Sequence, residues 1–290
     1  MRKLFLYVVI FLIVGIFSYD KLYAHGAEYQ EFKIWTDVAP GEAENSSYPT
    51  LLLRKPKEKK SDVCMVIFPG GAYMNLAKEH EGYKISDFFA SKGITSVVVF
   101  YRVPRREGVE KHRAAWQDAQ RAIKFVRFHA KEWGIHEEKI GCMGFSAGGH
   151  LALMMATTSE TSAYEGEEEV DKMPCHVNFA VPVYPAYVLE DGKNGPNSKK
   201  GNDADLVKDF SFDTKTPPMC LIHGDEDKYS AMGSVAVYHK LRTMNIPAEL
   251  HIYAKIMHGF GSKPVGENEH VGDWLNRVYA WMQIILPDAR

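Results

Sequence analysis

Hydrophobic positions along this chain fall into two alternating rhythms. Short unbroken apolar runs, such as "VCMVIF" (63–68), "ITSVVVF" (94–100) and "PMCLIHG" (218–224), read as strands buried on both faces, and the segments between them carry apolar residues at helical spacing. The clearest helix lies within 111–133, where Ala115, Ala119, Ala122, Ile123, Val126 and Ala130 share a face and Gly134 follows as a C-cap. Further helices are expected over 78–92, 147–158, 231–244 and 271–285, and further strands in "KIGCMGF", "VNFAVPVY" and "AELHIY". Simple alternation in "YQEFKIWTDV" and "TLLLRKP" adds two strands near the start. Strand and helix in turn predict an α/β fold with a mainly parallel sheet and helices on both of its faces. Two stretches break the rhythm: the acidic 165–171 and the polar 189–206, the heart of an insertion near 186–216. Both are expected as surface loops, the second long enough to suggest a role over a site.

The first residues follow neither rhythm. Arg2 and Lys3 precede a 14-residue uncharged run, "LFLYVVIFLIVGIF", with Ala24 a short way beyond. A basic start, a short apolar stretch and a small residue at a cleavage position predict a signal peptide over 1–24, leaving a single domain over 25–290. An uncleaved anchor is the competing reading, but the run is shorter than the ~20 apolar residues of a spanning helix. Export to a bacterial periplasm or beyond follows as an expectation.

Composition narrows the function classes. With 46% hydrophobic residues, 25% charged and a formal charge of −2, the 290-residue chain has material for a large core and no basic stripe for a phosphate backbone, so nucleic acid is not an expected partner. The four cysteines, Cys64, Cys142, Cys175 and Cys220, include no short-spaced pair. They are expected as free thiols, mostly packed in strands, and offer no metal-site spacing.

Chemistry enters at "GFSAG" (144–148), where a lone hydroxyl, Ser146, sits between glycines after a strand and before a helix. That is the setting of a nucleophile elbow, a turn so sharp that side chains near its apex have no room. A serine needs a base, and the base an orienting acid. "HGDEDKYS" offers Asp225, Glu226 and Asp227 beyond a strand end, and "MHGFG" offers His258 beyond the next. Spacing alone does not separate the three acids; Asp227 is preferred. His223, His251, His239 and His270 lie in or beside strands and helices and are expected to be structural or solvated. The glycine turn "FPGGAY" (68–73) follows another strand, so the backbone N–H groups of Gly71 and Ala72, with that of Ala147, are the expected oxyanion donors. Tyr73, Tyr184, Tyr187, Tyr229 and Phe260 adjoin these loops, either as aromatic walls for substrate or as core packing.

Taken together, "FPGGAY", "YRVP", "KIGCMGFSAGGHLA", "HGDEDKYS" and "MHGFG" resemble the α/β-hydrolase esterases, within them the exported bacterial acetylxylan-esterase-like group, over about residues 30–286. The resemblance implies an α/β-hydrolase fold and a triad of Ser146, Asp227 and His258. It also implies hydrolysis of short acyl esters, chiefly acetyl, on a hemicellulose such as xylan. The expected partner is therefore an acetylated polysaccharide or oligosaccharide, with no membrane contact after signal cleavage and the oligomeric state open. The chemistry calls for no cofactor and no metal. Two other readings use the same residues: a serine peptidase or general carboxylesterase on this fold, and a non-catalytic carbohydrate-binding relative.

Overall fold

The computed structural model describes residues 20–24, 27–42, 48–190, 205–263 and 271–286. Nine strands are present among them: β1 Asp20–Ala24, β2 Ala27–Lys33, β3 Thr50–Arg54, β4 Cys64–Phe68, β5 Thr95–Phe100, β6 Ile140–Phe145, β7 Phe179–Val183, β8 Met219–Gly224 and β9 Ala248–Tyr253. The helices are α1 Lys84–Ser91, α2 Arg113–Phe128, α3 Ala130–Trp133, α4 Ala147–Thr157, α5 Met232–Thr243 and α6 Trp274–Ile285. One sheet holds every strand in the order β1-β2-β3-β5-β4-β6-β7-β8-β9. The first three strands run antiparallel to their neighbours, and all pairings from β5 through β9 are parallel.

The continuous apolar runs have a simple cause. Side chains alternate across a strand, and here each face meets its own core. Cys64, Val66 and Phe68 of β4 face a core shared with α2 and α4, whereas Met65 and Ile67 face one built with α1 and α6. A strand covered twice has no polar face to show. Helix α4 goes further, with all eleven of its residues buried, so it lacks the polar stripe of a surface helix.

The sheet reverses its order of growth at β4: the chain lays β5 on one side, then crosses by α2 to lay β6 on the other. Such a switch point leaves a crevice at the carboxyl ends of the central strands. Phe68 pairs with Gly144 and Phe145 with Val183, so the turns leaving β4, β6 and β7 begin side by side. This fixes where any site built from those turns must lie.

Several expectations need adjustment. The helix expected over 78–92 opens with a π-helical turn, Glu79–Tyr83, before α1. The long helix over 111–133 breaks at His129 into α2 and α3, and Gly134 closes it at φ 67°. Within the acidic stretch, Glu169–Lys172 forms a 3-10 turn, because Glu168 and Asp171 reach the buried Arg121 guanidinium at 2.7 Å each. Residues 20–24, placed by sequence at the end of the leader, form β1 and pair with β2 at the sheet edge. All four cysteines are buried free thiols. No helix among the described residues is long and apolar enough to cross a membrane. The ends of the polar insertion meet in a bridge between Leu189 and Leu206; its residues 191–204, like 1–19 and His270, lie outside the described residues.

Candidate active site

Ser146 sits at the top of β6 with φ 54° and ψ −116°. A non-glycine residue is held in so unfavourable a backbone region only when its surroundings over-determine it. The surroundings here are two close backbone approaches. A Cβ on Gly144 would lie 1.9 Å from the Gly148 carbonyl oxygen, and one on Gly148 would lie 2.1 Å from that of Phe68. The flanking glycines therefore let the helix start almost on top of the strand, which lifts the serine out. The N-terminus of α4 stands directly behind it, and its free amides favour negative charge there.

Two loops complete the hydrogen-bonded chain. His258, beyond β9, has Nε2 2.7 Å from Ser146 Oγ and Nδ1 2.8 Å from Asp227 Oδ2. Asp227 is 3% exposed, and its other oxygen accepts the Tyr229 N–H at 2.6 Å. Asp225 and Glu226 point to solvent, so geometry separates the three acids where spacing did not. His223 lies 3.6 Å from Asp227 Oδ2, yet it does not compete for that charge. It is fully buried, bonded to Ser234 Oγ and the Tyr229 carbonyl, and burial pushes its pKa down to about 4.

The turn after β4 runs through three successive positive φ values, 135° at Gly71, 57° at Ala72 and 58° at Tyr73. A Cβ on Gly70 would fall 2.9 Å from that of Ser146, so this turn lies against the serine. The carbonyl of Gly71 is taken by the N–H groups of Met74 and Asn75. The N–H groups of Gly71, Ala72 and Ala147 donate to no other backbone or side-chain group among the described residues. Three undonated amides beside a serine can hold a developing oxyanion.

What fixes this turn was not visible in sequence. Buried Glu81 accepts the Gly70 N–H at 2.8 Å through one oxygen and the Tyr184 hydroxyl at 2.9 Å through the other. The same hydroxyl accepts the Gly261 N–H at 2.9 Å. One carboxylate thus ties together the turn after β4, the end of β7 and the loop that carries His258. Burial raises its pKa, against the lowering effect of these two hydrogen bonds. The Tyr101 hydroxyl donates to the Pro69 carbonyl and adds a further anchor. Glu81→Ala would strand the Gly70 N–H, at about 1–3 kcal/mol per unsatisfied buried group. In a reaction that runs through Ser146, kcat is expected to fall about 10- to 100-fold with KM little changed, a fraction of the full loss of an oxyanion donor. Steady-state kinetics beside a melting curve would check it, and an unchanged kcat would remove Glu81 from this role.

The five aromatic residues divide. Tyr73, Tyr184 and Phe260 are only 1%, 0% and 5% exposed, so they pack beneath the site instead of walling it. Tyr184 stands edge-on to His258 at 5.0 Å between ring centroids and to Phe260 at 4.6 Å. Tyr187 and Tyr229 are half-buried and meet edge to face at 5.5 Å, with Tyr229 4.9 Å from the His258 ring and Lys111 Nζ 4.1 Å over Tyr187. Of the five, these two alone present aromatic surface next to His258. The correction has a plain cause, since a tyrosine at a strand end packs inward or outward according to a loop path that sequence does not show.

Known proteins share this arrangement of sequence and fold. The BD-FAE family profile matches residues 51–241. The acetylxylan esterase of Xylanibacter ruminicola is 31% identical over 218 residues, which is 70% of this chain and 42% of that protein. Endo-1,4-β-xylanase B of Butyrivibrio fibrisolvens is 25% identical over 229 residues, 76% of this chain and 35% of that protein. The chain thus spans well under half the length of these two relatives. Among solved structures, an acetyl ester-xyloside bifunctional hydrolase from Caldicellulosiruptor lactoaceticus superposes with a TM-score of 0.73 at 28% identity, covering 88% of this chain and 96% of that one. An α/β hydrolase from a Medee basin deep-sea metagenome library does so with 0.66 at 22% identity, covering 90% and 98%, a likeness of fold alone. The architecture is that of the α/β hydrolases.

Proposed function

The chain belongs to the BD-FAE family, and from that premise we propose that it is a serine esterase removing short acyl groups, chiefly acetyl, from a hemicellulose such as xylan. The observation that carries this is the unbroken chain of contacts from Asp227 through His258 to Ser146, at 2.8 and 2.7 Å. The relatives' names, acetylxylan esterase and acetyl ester-xyloside hydrolase, support the substrate class. The half-buried pair Tyr187 and Tyr229 supplies apolar faces for a sugar ring beside the base.

The mechanism follows from the geometry. His258 Nε2 takes the Ser146 proton as Oγ attacks the ester carbonyl, and the oxyanion forms against the N–H groups of Gly71, Ala72 and Ala147. Asp227 holds the His258 Nδ1–H and stabilises the imidazolium without taking the proton. The imidazolium then protonates the sugar oxygen, which leaves, and Ser146 keeps the acyl group. His258 next removes a proton from water, the hydroxide attacks the acyl carbon, and the carboxylic acid departs as the serine proton returns. The N-terminal leader expected from sequence would take the protein to the periplasm or beyond, where such polymers are met.

Acetate release from acetylated xylan, with Ser146→Ala as the blank, tests the substrate. On synthetic esters, kcat/KM is expected to fall at least about 100-fold from acetyl to octanoyl, because each methylene refused by a pocket changes binding by about 1–3 kcal/mol. A preference for long chains would overturn the short-acyl reading. Failure to label with a fluorophosphonate probe would favour a carbohydrate-binding protein without catalysis.

A further inference from the structure

One turn along α4 from the nucleophile stands a second cluster that ester hydrolysis does not use. His150 is completely buried, with Nε2 3.1 Å from Asp209 Oδ2 and Nδ1 3.0 Å from the Tyr73 hydroxyl. His112, at the start of α2, is 7% exposed and directs Nδ1 at the same Asp209 oxygen from 3.5 Å. That Nδ1 is cut off from solvent and makes no hydrogen bond among the described residues. A buried, unpartnered imidazole nitrogen aimed at a carboxylate is costly in a hydrogen-bonded interior. The three donor atoms, one from each residue, all lie within 4.8 Å of one another.

We propose that His112, His150 and Asp209 form a binding site for a divalent transition metal, zinc in the first instance, that ties the polar insertion to the floor of the active site. Zinc takes imidazole nitrogen and carboxylate oxygen at about 2.0–2.2 Å, so tetrahedral ligands stand about 3.3 Å apart. The two separations to Asp209, 3.1 and 3.5 Å, bracket that edge. The donor set is two imidazoles and one carboxylate, which suits zinc over magnesium or calcium. With Nε2 on the metal, His150 carries its proton on Nδ1 and donates it to the Tyr73 hydroxyl oxygen, the outer contact that fixes a ligand histidine.

The consequence is mechanical and does not involve the acyl chemistry. Tyr73 follows the two oxyanion residues directly, His150 rides on the helix that begins at the nucleophile, and Asp209 lies within the insertion, three residues past its bridge between Leu189 and Leu206. A metal joining the last two, with Tyr73 bonded to His150, would hold insertion, elbow helix and oxyanion turn in one register. No sequence motif announces it, since the three ligands come from distant parts of the chain.

The test uses the full-length, untagged Ser146→Ala chain after chelation, so that its outcome is independent of esterase activity. Zinc chloride titrated by calorimetry is expected to saturate at one equivalent, with magnesium and calcium not competing. At a hundredfold excess over Kd the melting temperature should rise by roughly 5 °C. His112→Asn and Asp209→Asn are each expected to weaken binding at least about 100-fold, and Tyr73→Phe about 10-fold. Asp209 is partly exposed, so its variant remains informative even where His112→Asn fails to fold. Absence of saturable binding overturns the proposal. So does zinc that survives both ligand variants and disappears with His251→Ala, which would belong to the cluster of Cys220, Glu249 and His251.

Discussion

Ser146→Ala is expected to lower kcat by about 10⁶ on a small acetate ester while leaving the fold intact. The oxygen removed is the atom His258 faces at 2.7 Å, and in the proposed mechanism no other group takes its place. Alanine keeps the Cβ that the tight turn already accommodates at φ 54°, so the substitution introduces no new backbone strain. The oxyanion amides survive, and with them the residual catalysis over water that such donors provide. Kinetics under conditions that exclude contaminating esterase, next to a melting curve matching the parent, would measure it. Retention of more than a few per cent of turnover would mean that another nucleophile serves this protein.

Asp227→Asn is expected to lower kcat by about 10⁴ near neutral pH, with KM almost unmoved. The reason lies in how the side chain is pinned. One carboxylate oxygen accepts the Tyr229 N–H at 2.6 Å and the other faces His258 Nδ1 at 2.8 Å. An asparagine must give its oxygen to Tyr229, which turns its NH₂ toward His258. Nδ1 is then obliged to accept, the ring proton moves to Nε2, and the nitrogen facing Ser146 can no longer take a proton. Asp225→Asn and Glu226→Gln, at solvent-facing positions, are expected to stay within about twofold of the parent. A comparable loss at either exposed acid would reassign the triad.

How much of this was legible in sequence depended on the range over which each feature is encoded. The elbow is local: strand, glycine, serine, glycine and helix are consecutive, and the chain order of acid and histidine follows from strands whose carboxyl ends share one edge. The doubly covered sheet was legible for a similar reason, because a strand buried on both faces is written in consecutive apolar residues. Glu81 was not legible. Its partner Tyr184 lies 103 positions away, and an acid in "EHEGY" reads as one more surface charge. The metal cluster was hidden in the same way, with 59 positions between His150 and Asp209. The choice among Asp225, Glu226 and Asp227 turned on which carboxylate the tight turn after β8 folds inward. Strand β1 was not legible because its residues, Asp20–Ala24, fall at the end of the expected leader, whose apolar run dominates the reading of that region.

The positions of serine and histidine in the sheet have one more consequence. Ser146 grows from β6, flanked on both sides by parallel neighbours, whereas His258 hangs beyond β9, which ends the sheet and has no fully buried residue. Edge strands exchange their amide hydrogens through small local openings that central strands do not share. The proposed nucleophile is thus expected to sit in a late-opening layer of the sheet and the proposed base beyond an early-opening one. Warming or mild denaturant would uncouple the two before the core melts, leaving a folded protein that is temporarily silent. In the proposed mechanism catalytic competence therefore depends on the integrity of the sheet's rim, and a ligand that staples β9 to β8 is expected to extend the working temperature without adding to the stability of the centre.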